Sequence, residues 1–176
     1  MELLAPRSKV QVEPEGFEFH AVVRRTSQRL FRLALRITGN DADASDVLQE
    51  GYLRAFRAIG RLRGRPSAEL DAWLYAVVTH AALNWLRDRK RASHRERGAG
   101  TPEPPDAQGM LEARDVLRKL QALLDRLPPE QRVALVLKEL EGKSAREVAG
   151  LLGITEGALE QRLVRARETL RAGGLR

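Results

Sequence analysis

The sequence predicts an all-α protein made of two small helical domains joined by a flexible linker. Three observations predict it. Apolar residues recur three or four positions apart through most of the chain, the period of helices with one buried side. No run alternates apolar and polar residues in the manner of a strand. Residues 92–109, "ASHRERGAGTPEPPDAQG", are polar, rich in Gly and Pro and nearly free of large apolar side chains. Such a segment buries too little surface to offset the entropy of ordering it. The expected division is a loose extension over 1–16, a first domain over 17–91, a linker over 92–110 and a second domain over 111–176.

Each helix follows from its own pattern. Phe17, Val22, Val23, Leu30, Leu33 and Ala34 space a first helix from Phe17 to about Leu35. "TGND" at 38–41 reads as a stop and a new N-cap at Asp41. The second helix, to about Ile59, places Ala44, Val47, Leu48, Tyr52, Ala55 and Phe56 on one face. "GRLRGRPS" (60–67) is a basic loop, and Leu70, Trp73, Leu74, Val77, Val78, Ala81, Trp85 and Leu86 carry a third helix from Ser67 to about Arg91. Beyond the linker, a helix runs from Leu111 to Leu127. Pro128 and Pro129 end it and start the next. Further helices are expected over 130–141, 144–152 and 155–171.

Composition narrows the chemistry. The 176 residues carry 31 Lys and Arg against 24 Asp and Glu, a net charge of +7, which suits a polyanionic partner without identifying it. With no cysteine, disulfides, thiolate metal sites and thiol nucleophiles are excluded. The N-terminal stretch has no apolar core of a signal peptide, and no run reaches the length of a membrane span. A cytoplasmic protein with no membrane contact of its own is expected.

The stretch "SAREVAGLLGITEGALEQRLVRARETLR", residues 144–171, is the most informative. Ser144 and Glu147 have the spacing of a capping box, Gly153 suits the left-handed residue of a short turn, and Thr155 can cap the following helix. Leu159, Leu163, Ala166 and Leu170 form its inner stripe, leaving Ala158, Gln161, Arg162, Arg165 and Thr169 outward. Two helices around a Gly turn with a cationic outer stripe match a helix-turn-helix. Gln161 and Arg165 have donors and acceptors suited to base edges, while Thr155 and Arg162 suit phosphates. Glu156 and Glu160, with Glu168, argue against a helix that only grips phosphate. The competing reading is a helical hairpin with solvated arginines.

Two other groups stand out. Asp43, Asp46 and Glu50 share a helix face beside Gln49. That face is a solvated surface, a docking site for a basic partner, or, more weakly, a Mg²⁺ site for phosphoryl chemistry. Arg61, Arg63 and Arg65 lie in the basic loop, and His80, Asn84 and Arg87 fall in a row on the third helix. Trp73 and Trp85 nearby suit either a core or a base-stacking platform.

With these residues in view, "DASDVLQEGYLRAFRAI", "LDAWLYAVVTHAALNWLRDRKR" and "LDRLPPEQRVALVLKELEGKSAREVAGLLGITEGALEQRLVRARETL" resemble the extracytoplasmic-function (ECF) sigma factors of bacterial RNA polymerase, over most of residues 17–171. The resemblance implies the two domains called regions two and four and a non-catalytic subunit without cofactor. It implies docking on core RNA polymerase through Asp46, Gln49 and Glu50, with Asp43 beside them. Arg61, Arg63, Arg65, His80, Asn84 and Arg87 would open and read the minus-ten element of promoter DNA. Thr155, Glu156, Glu160, Gln161, Arg162 and Arg165 would face the minus-thirty-five element. An anti-sigma factor is the implied inhibitor. Relatives commonly carry Asn at the His80 position, Asp at the Asn84 position and a basic residue with Ser at Glu160-Gln161, so their promoter sequences do not transfer. The alternatives are a stand-alone helix-turn-helix regulator and a metal-dependent nuclease or phosphotransferase built on Asp43, Asp46 and Glu50.

Overall fold

The computed structural model describes residues 19–62, 65–96 and 119–173, and these are helical with short connections. Among the described residues the first domain holds α1 (Phe19–Thr38), α2 (Asp41–Ala58) and α3 (Ser67–Glu96), with a 3₁₀ turn, Ile59–Leu62, after α2. The second holds α4 (residues 119–125), α5 (Pro129–Leu135), α6 (Ala145–Leu152) and α7 (Glu156–Ala172).

The expected stripes form the first core. Leu30, Leu33 and Ile37 of α1 meet Ala44 and Val47 of α2 and Leu74 and Val78 of α3, each at most 2% exposed. Complete burial of one such aliphatic side chain contributes about 1.5–3 kcal/mol. Gly39, at φ +95°, stops α1 in a conformation that glycine adopts without steric cost. The cap of α2 is Asn40 rather than Asp41: the Asn40 Oδ1 accepts the Asp43 backbone N–H at 2.9 Å. Asp41 instead begins the helix, where its charge suits the N-terminal dipole.

Phe56 departs from the expected buried face of α2. It is 52% exposed and tilts against Phe19, ring centroids 5.8 Å apart. Its neighbour Ala55 faces the core instead, at 0% exposure. Elsewhere on α2, at Gly51, the helix presses close to α3. A Cβ on Gly51 would stand 2.8 Å from the Val78 Cγ2 and 3.4 Å from the Val78 Cα. Gly51→Ala would stabilise an open helix by about 1 kcal/mol. Here it is expected to destabilise the domain by about 1–2 kcal/mol through overpacking. Chemical denaturation checks the sign, and the cost of Gly51→Ala should shrink when it is measured in a Val78→Ala background.

α3 runs to Glu96, past the Arg91 end expected from sequence. Residues 92–96 include no Gly or Pro, so the helix continues into a stretch whose average composition suggested linker. Residues 97–110 of the expected linker, the expected helix over 111–118 and the 1–16 extension lie outside the described residues.

In the second domain Pro129 occupies the first position of α5, where its missing N–H costs nothing. The expected helix over 130–141 widens at Val136–Leu140 into a π turn, with the Glu141 N–H donating to the Val136 carbonyl at 3.0 Å. Val133, Val136, Leu137, Val148, Leu159 and Leu163 form this domain's core, all within 1% of complete burial. Arg132 is also buried, 2% exposed, and donates to Asp125. Burial pulls its guanidinium pKa down, partly offset by that carboxylate.

The two domains touch. The Gln121 side chain donates to the Thr38 carbonyl at 3.4 Å, and α3 packs against α5 and α6. Glu141, with a side chain only 9% exposed, accepts from Arg36 of α1 and, at 3.3 Å, from the Tyr75 hydroxyl of α3. Lys143 sits 4.5 Å from the centre of the Tyr75 ring. Burial, then the Glu141 charge, raises the Tyr75 pKa.

Candidate nucleic-acid interface

The helix-turn-helix is built as its sequence suggests. Ser144 and Glu147 complete the capping box: the Ser144 Oγ accepts the Glu147 N–H at 3.2 Å, and the Glu147 carboxylate accepts the Ser144 N–H at 2.8 Å. The Ser144 side chain, its backbone and then Lys143 hold the Glu147 pKa below its ordinary range. A lowered folded pKa means that this stabilisation is present above the unfolded value and lost as pH falls through the folded one. Ser144→Ala is expected to cost about 1 kcal/mol at neutral pH. Its stability should fall less steeply than that of the parent below about pH 4.5, which urea denaturation across pH would measure.

Gly153 closes the turn at φ +64°, and the Thr155 Oγ1 caps α7 by accepting the Ala158 N–H at 3.1 Å. Leu159, Leu163, Ala166 and Leu170 are buried. Glu156, Glu160, Gln161 and Arg165 are exposed, while Arg162 is half-buried. Glu160 lies 3.7 Å from Arg167, which also pairs with Glu139 at 2.9 Å. Val164 was missed by the sequence reading. It is 42% exposed between Gln161 and Arg165, an apolar side chain of the kind that contacts a thymine methyl.

The α2 carboxylates divide. Asp46 and Gln49 are exposed, and Glu50 is half-buried and pairs with Arg54 at 2.6 Å. Asp43 turns away to Asn40 and to Arg89 of α3, the latter at 3.0 Å. Among the described residues no group of three or more His, Asp or Glu side chains is placed to hold a metal ion. Gln49 instead borders an apolar groove lined by Phe19, Leu48, Tyr52, Leu53 and Phe56.

On α3, His80 is exposed while Asn84 and Arg87 are half-buried. Arg87 donates to Asn84 at 3.4 Å and to Glu130 of α5 at 2.9 Å. Partial burial raises the Glu130 pKa, but the Arg87 hydrogen bond, the helix backbone and the charges of Arg87 and Arg162 bring it below its ordinary range. Trp73 and Trp85 are half-buried against the core, with Arg89 5.1 Å over the Trp85 ring. Arg65 is exposed and pairs with Glu69 at 3.1 Å. Arg63 and the side chain of Arg61 lie outside the described residues. No helix among the described residues is long and apolar enough to cross a membrane.

Comparison with known proteins agrees with this construction. Residues 22–92 match the family Sigma-70 region 2, and residues 117–170 match Sigma-70, region 4. The ECF RNA polymerase sigma factor SigM of Mycobacterium tuberculosis is 33% identical over 96% of this chain and 81% of SigM. The chain belongs to the ECF sigma factors. The ECF sigma factor SigE of Mycolicibacterium smegmatis is 34% identical over 85% of the chain, which spans 59% of SigE's length. Among solved structures, the sigma factor RpoE of Bartonella quintana, crystallised with the anti-sigma factor NepR, has the same fold. The TM-score is 0.64 over 88% of this chain and 94% of RpoE, at 21% identity. In this sigma factor α1–α3 fall within the region 2 match and α5–α7 within the region 4 match, apart from residues at the ends of α1, α3 and α7. The Arg87–Glu130 pair therefore crosses from one region to the other. No feature of the sequence points to that pairing, because the partners are 43 residues apart with the expected linker between them.

Proposed function

We propose that the chain binds core RNA polymerase in the cytoplasm and directs it to promoters, without catalysis of its own. One observation carries this: both sigma regions occur in one chain, in order, with region 4 ending in a capped helix-turn-helix. In this reading the α2 edge formed by Asp46, Gln49 and Glu50 docks on a basic surface of the polymerase, and the adjoining apolar groove extends that contact. Asp43 supports the edge through its bond to Arg89.

His80, Asn84 and Arg87, with the basic loop at Arg61, Arg63 and Arg65, read the minus-ten element as it opens. Unstacking an extruded base costs a few kcal/mol, recovered when the opened strand is held better than the duplex. Gln161, Val164 and Arg165 meet base edges of the minus-thirty-five element, where Glu156 and Glu160 disfavour phosphate and select for donors such as cytosine N4. Arg162 and the Thr155 end of α7 adjoin the backbone. An anti-sigma factor, such as the one bound to the Bartonella protein, is the proposed inhibitor.

The test is co-elution with core polymerase in size-exclusion chromatography, followed by binding to promoter DNA that requires core and falls steeply with salt. Dimeric binding to duplex DNA without core would favour a stand-alone regulator.

A further inference from the structure

We propose that the cleft beside Arg132 is a binding site for a small multivalent phosphate, of the class of inorganic polyphosphates and nucleoside polyphosphates. This goes beyond promoter recognition and does not depend on it. The cleft has a volume of about 560 Å³, within the range of small-molecule sites. Arg89 and Lys90 line it from α3, and Arg126 and Arg132 from the α4–α5 side, against one carboxylate, Asp125, among the described residues. Ser93 adds a hydroxyl and the half-buried Trp85 an aromatic surface.

Arg132 is the observation that points to a ligand. It is 2% exposed, one of its Nη atoms donates to Asp125, and its Nε and Nη2 have no hydrogen-bond partner among the described residues. Buried polar groups are nearly always paired, and a guanidinium is a planar fork that matches two oxygens of one phosphate. Asp125 engages one nitrogen of that fork, and its side chain is 54% exposed. It can pass to water while a phosphate takes its place, and a small rotation of the guanidinium then turns the unpaired N–H groups to the anion.

The other cations favour the same occupant. Burial lowers the Arg132 pKa most, Asp125 offsets part of this, and the charge of Arg89 lowers it further. An anion in the cleft is attracted by both of these mutually repelling arginines. Arg89 donates through one nitrogen to Asp43 at 3.0 Å, and Arg126 through one to the Gly173 carbonyl at 3.2 Å, so each reaches an anion through its other nitrogens. Arg89, Lys90 and Arg126 are exposed and suit the remaining oxygens of a chain of phosphates, whose several negative charges answer several cations where a monovalent anion answers one.

Calorimetric titration of the full chain with inorganic tripolyphosphate at physiological salt tests this. One tripolyphosphate is expected to bind per chain, more tightly than sulfate, and to raise the melting temperature as its concentration rises. Arg132→Met, which keeps the side-chain volume, should weaken binding at least about tenfold. Lys90→Gln with Arg126→Gln, at exposed positions, should weaken it severalfold and keeps the test open if Arg132→Met does not fold. Arg24→Gln with Arg32→Gln removes two exposed charges of α1 that do not line the cleft and should leave affinity within about twofold. Titration with ATP separates the sources: tighter binding than tripolyphosphate assigns the site to a nucleotide, equal binding to the phosphates alone, and both uphold it.

No saturable binding by the parent would overturn the inference. So would an α1 variant that loses as much affinity as Arg132→Met, because the effect would then be net charge alone. Displacement of tripolyphosphate by an oligonucleotide without terminal phosphates would overturn it too, making the cleft a contact for a nucleic-acid backbone.

Discussion

Asp46→Arg combined with Glu50→Arg is expected to abolish binding to core RNA polymerase while leaving the fold intact. Asp46 is exposed, and Glu50 contributes only a surface ion pair with Arg54, both side chains more than 40% exposed. Such a pair is worth less than about 1 kcal/mol, so the melting transition should barely move. The interface effect is far larger. Two reversals place like charges against a basic docking surface at several kcal/mol each, and a loss of 4 kcal/mol or more is roughly a thousandfold in affinity. Glu50→Arg also sets a second cation beside Arg54, which turns the local field further. Titration of labelled core with parent and variant measures it. Unchanged affinity would remove the docking assignment, while a collapsed melting curve would mean that the two carboxylates are structural.

The second large effect concerns stability and separates two residues of one pair. Arg132 is 2% exposed, and its Nε and Nη2 have no hydrogen-bond partner among the described residues. Its charge depends on Asp125, whose own side chain is 54% exposed. Asp125→Ala leaves a buried guanidinium without its counter-charge and should cost about 3 kcal/mol, the low end for breaking a buried pair because Asp125 is itself wet. Arg132→Met removes the buried charge and fills a similar volume, leaving an aspartate that water can solvate. It should therefore be close to neutral, within about 1 kcal/mol, or stabilising. Guanidinium denaturation of both variants tests the asymmetry. Equal losses would mean that the arginine acts through packing of its stem rather than its charge.

How much of this was legible in the sequence depended on whether the signal was local. The capping box, the Gly153 turn and the Leu159–Leu163–Ala166–Leu170 stripe each need only a few neighbouring residues, and the structure has them as expected. The α2 carboxylates were found by spacing, but spacing does not separate Asp46, which points to solvent, from Asp43, which is drawn to Arg89 across the helix pair. Phe56 was misplaced because a single helix does not reveal which of two adjacent residues its partners admit. Gly51 depends on how close α3 comes, and the π turn at Val136–Leu140 has no sequence marker comparable to a capping residue. The contacts of Glu130 and Glu141 with the first domain depend on a packing that follows from no local rule.

Run-off transcription tests the central claim most directly. The purified chain and core polymerase are incubated with fragmented genomic DNA, with core alone as the control. The account predicts discrete new start sites that need both proteins, whose aligned upstream sequences share two elements spaced for regions 2 and 4. No new starts, together with binding of duplex DNA by the chain alone, would contradict it.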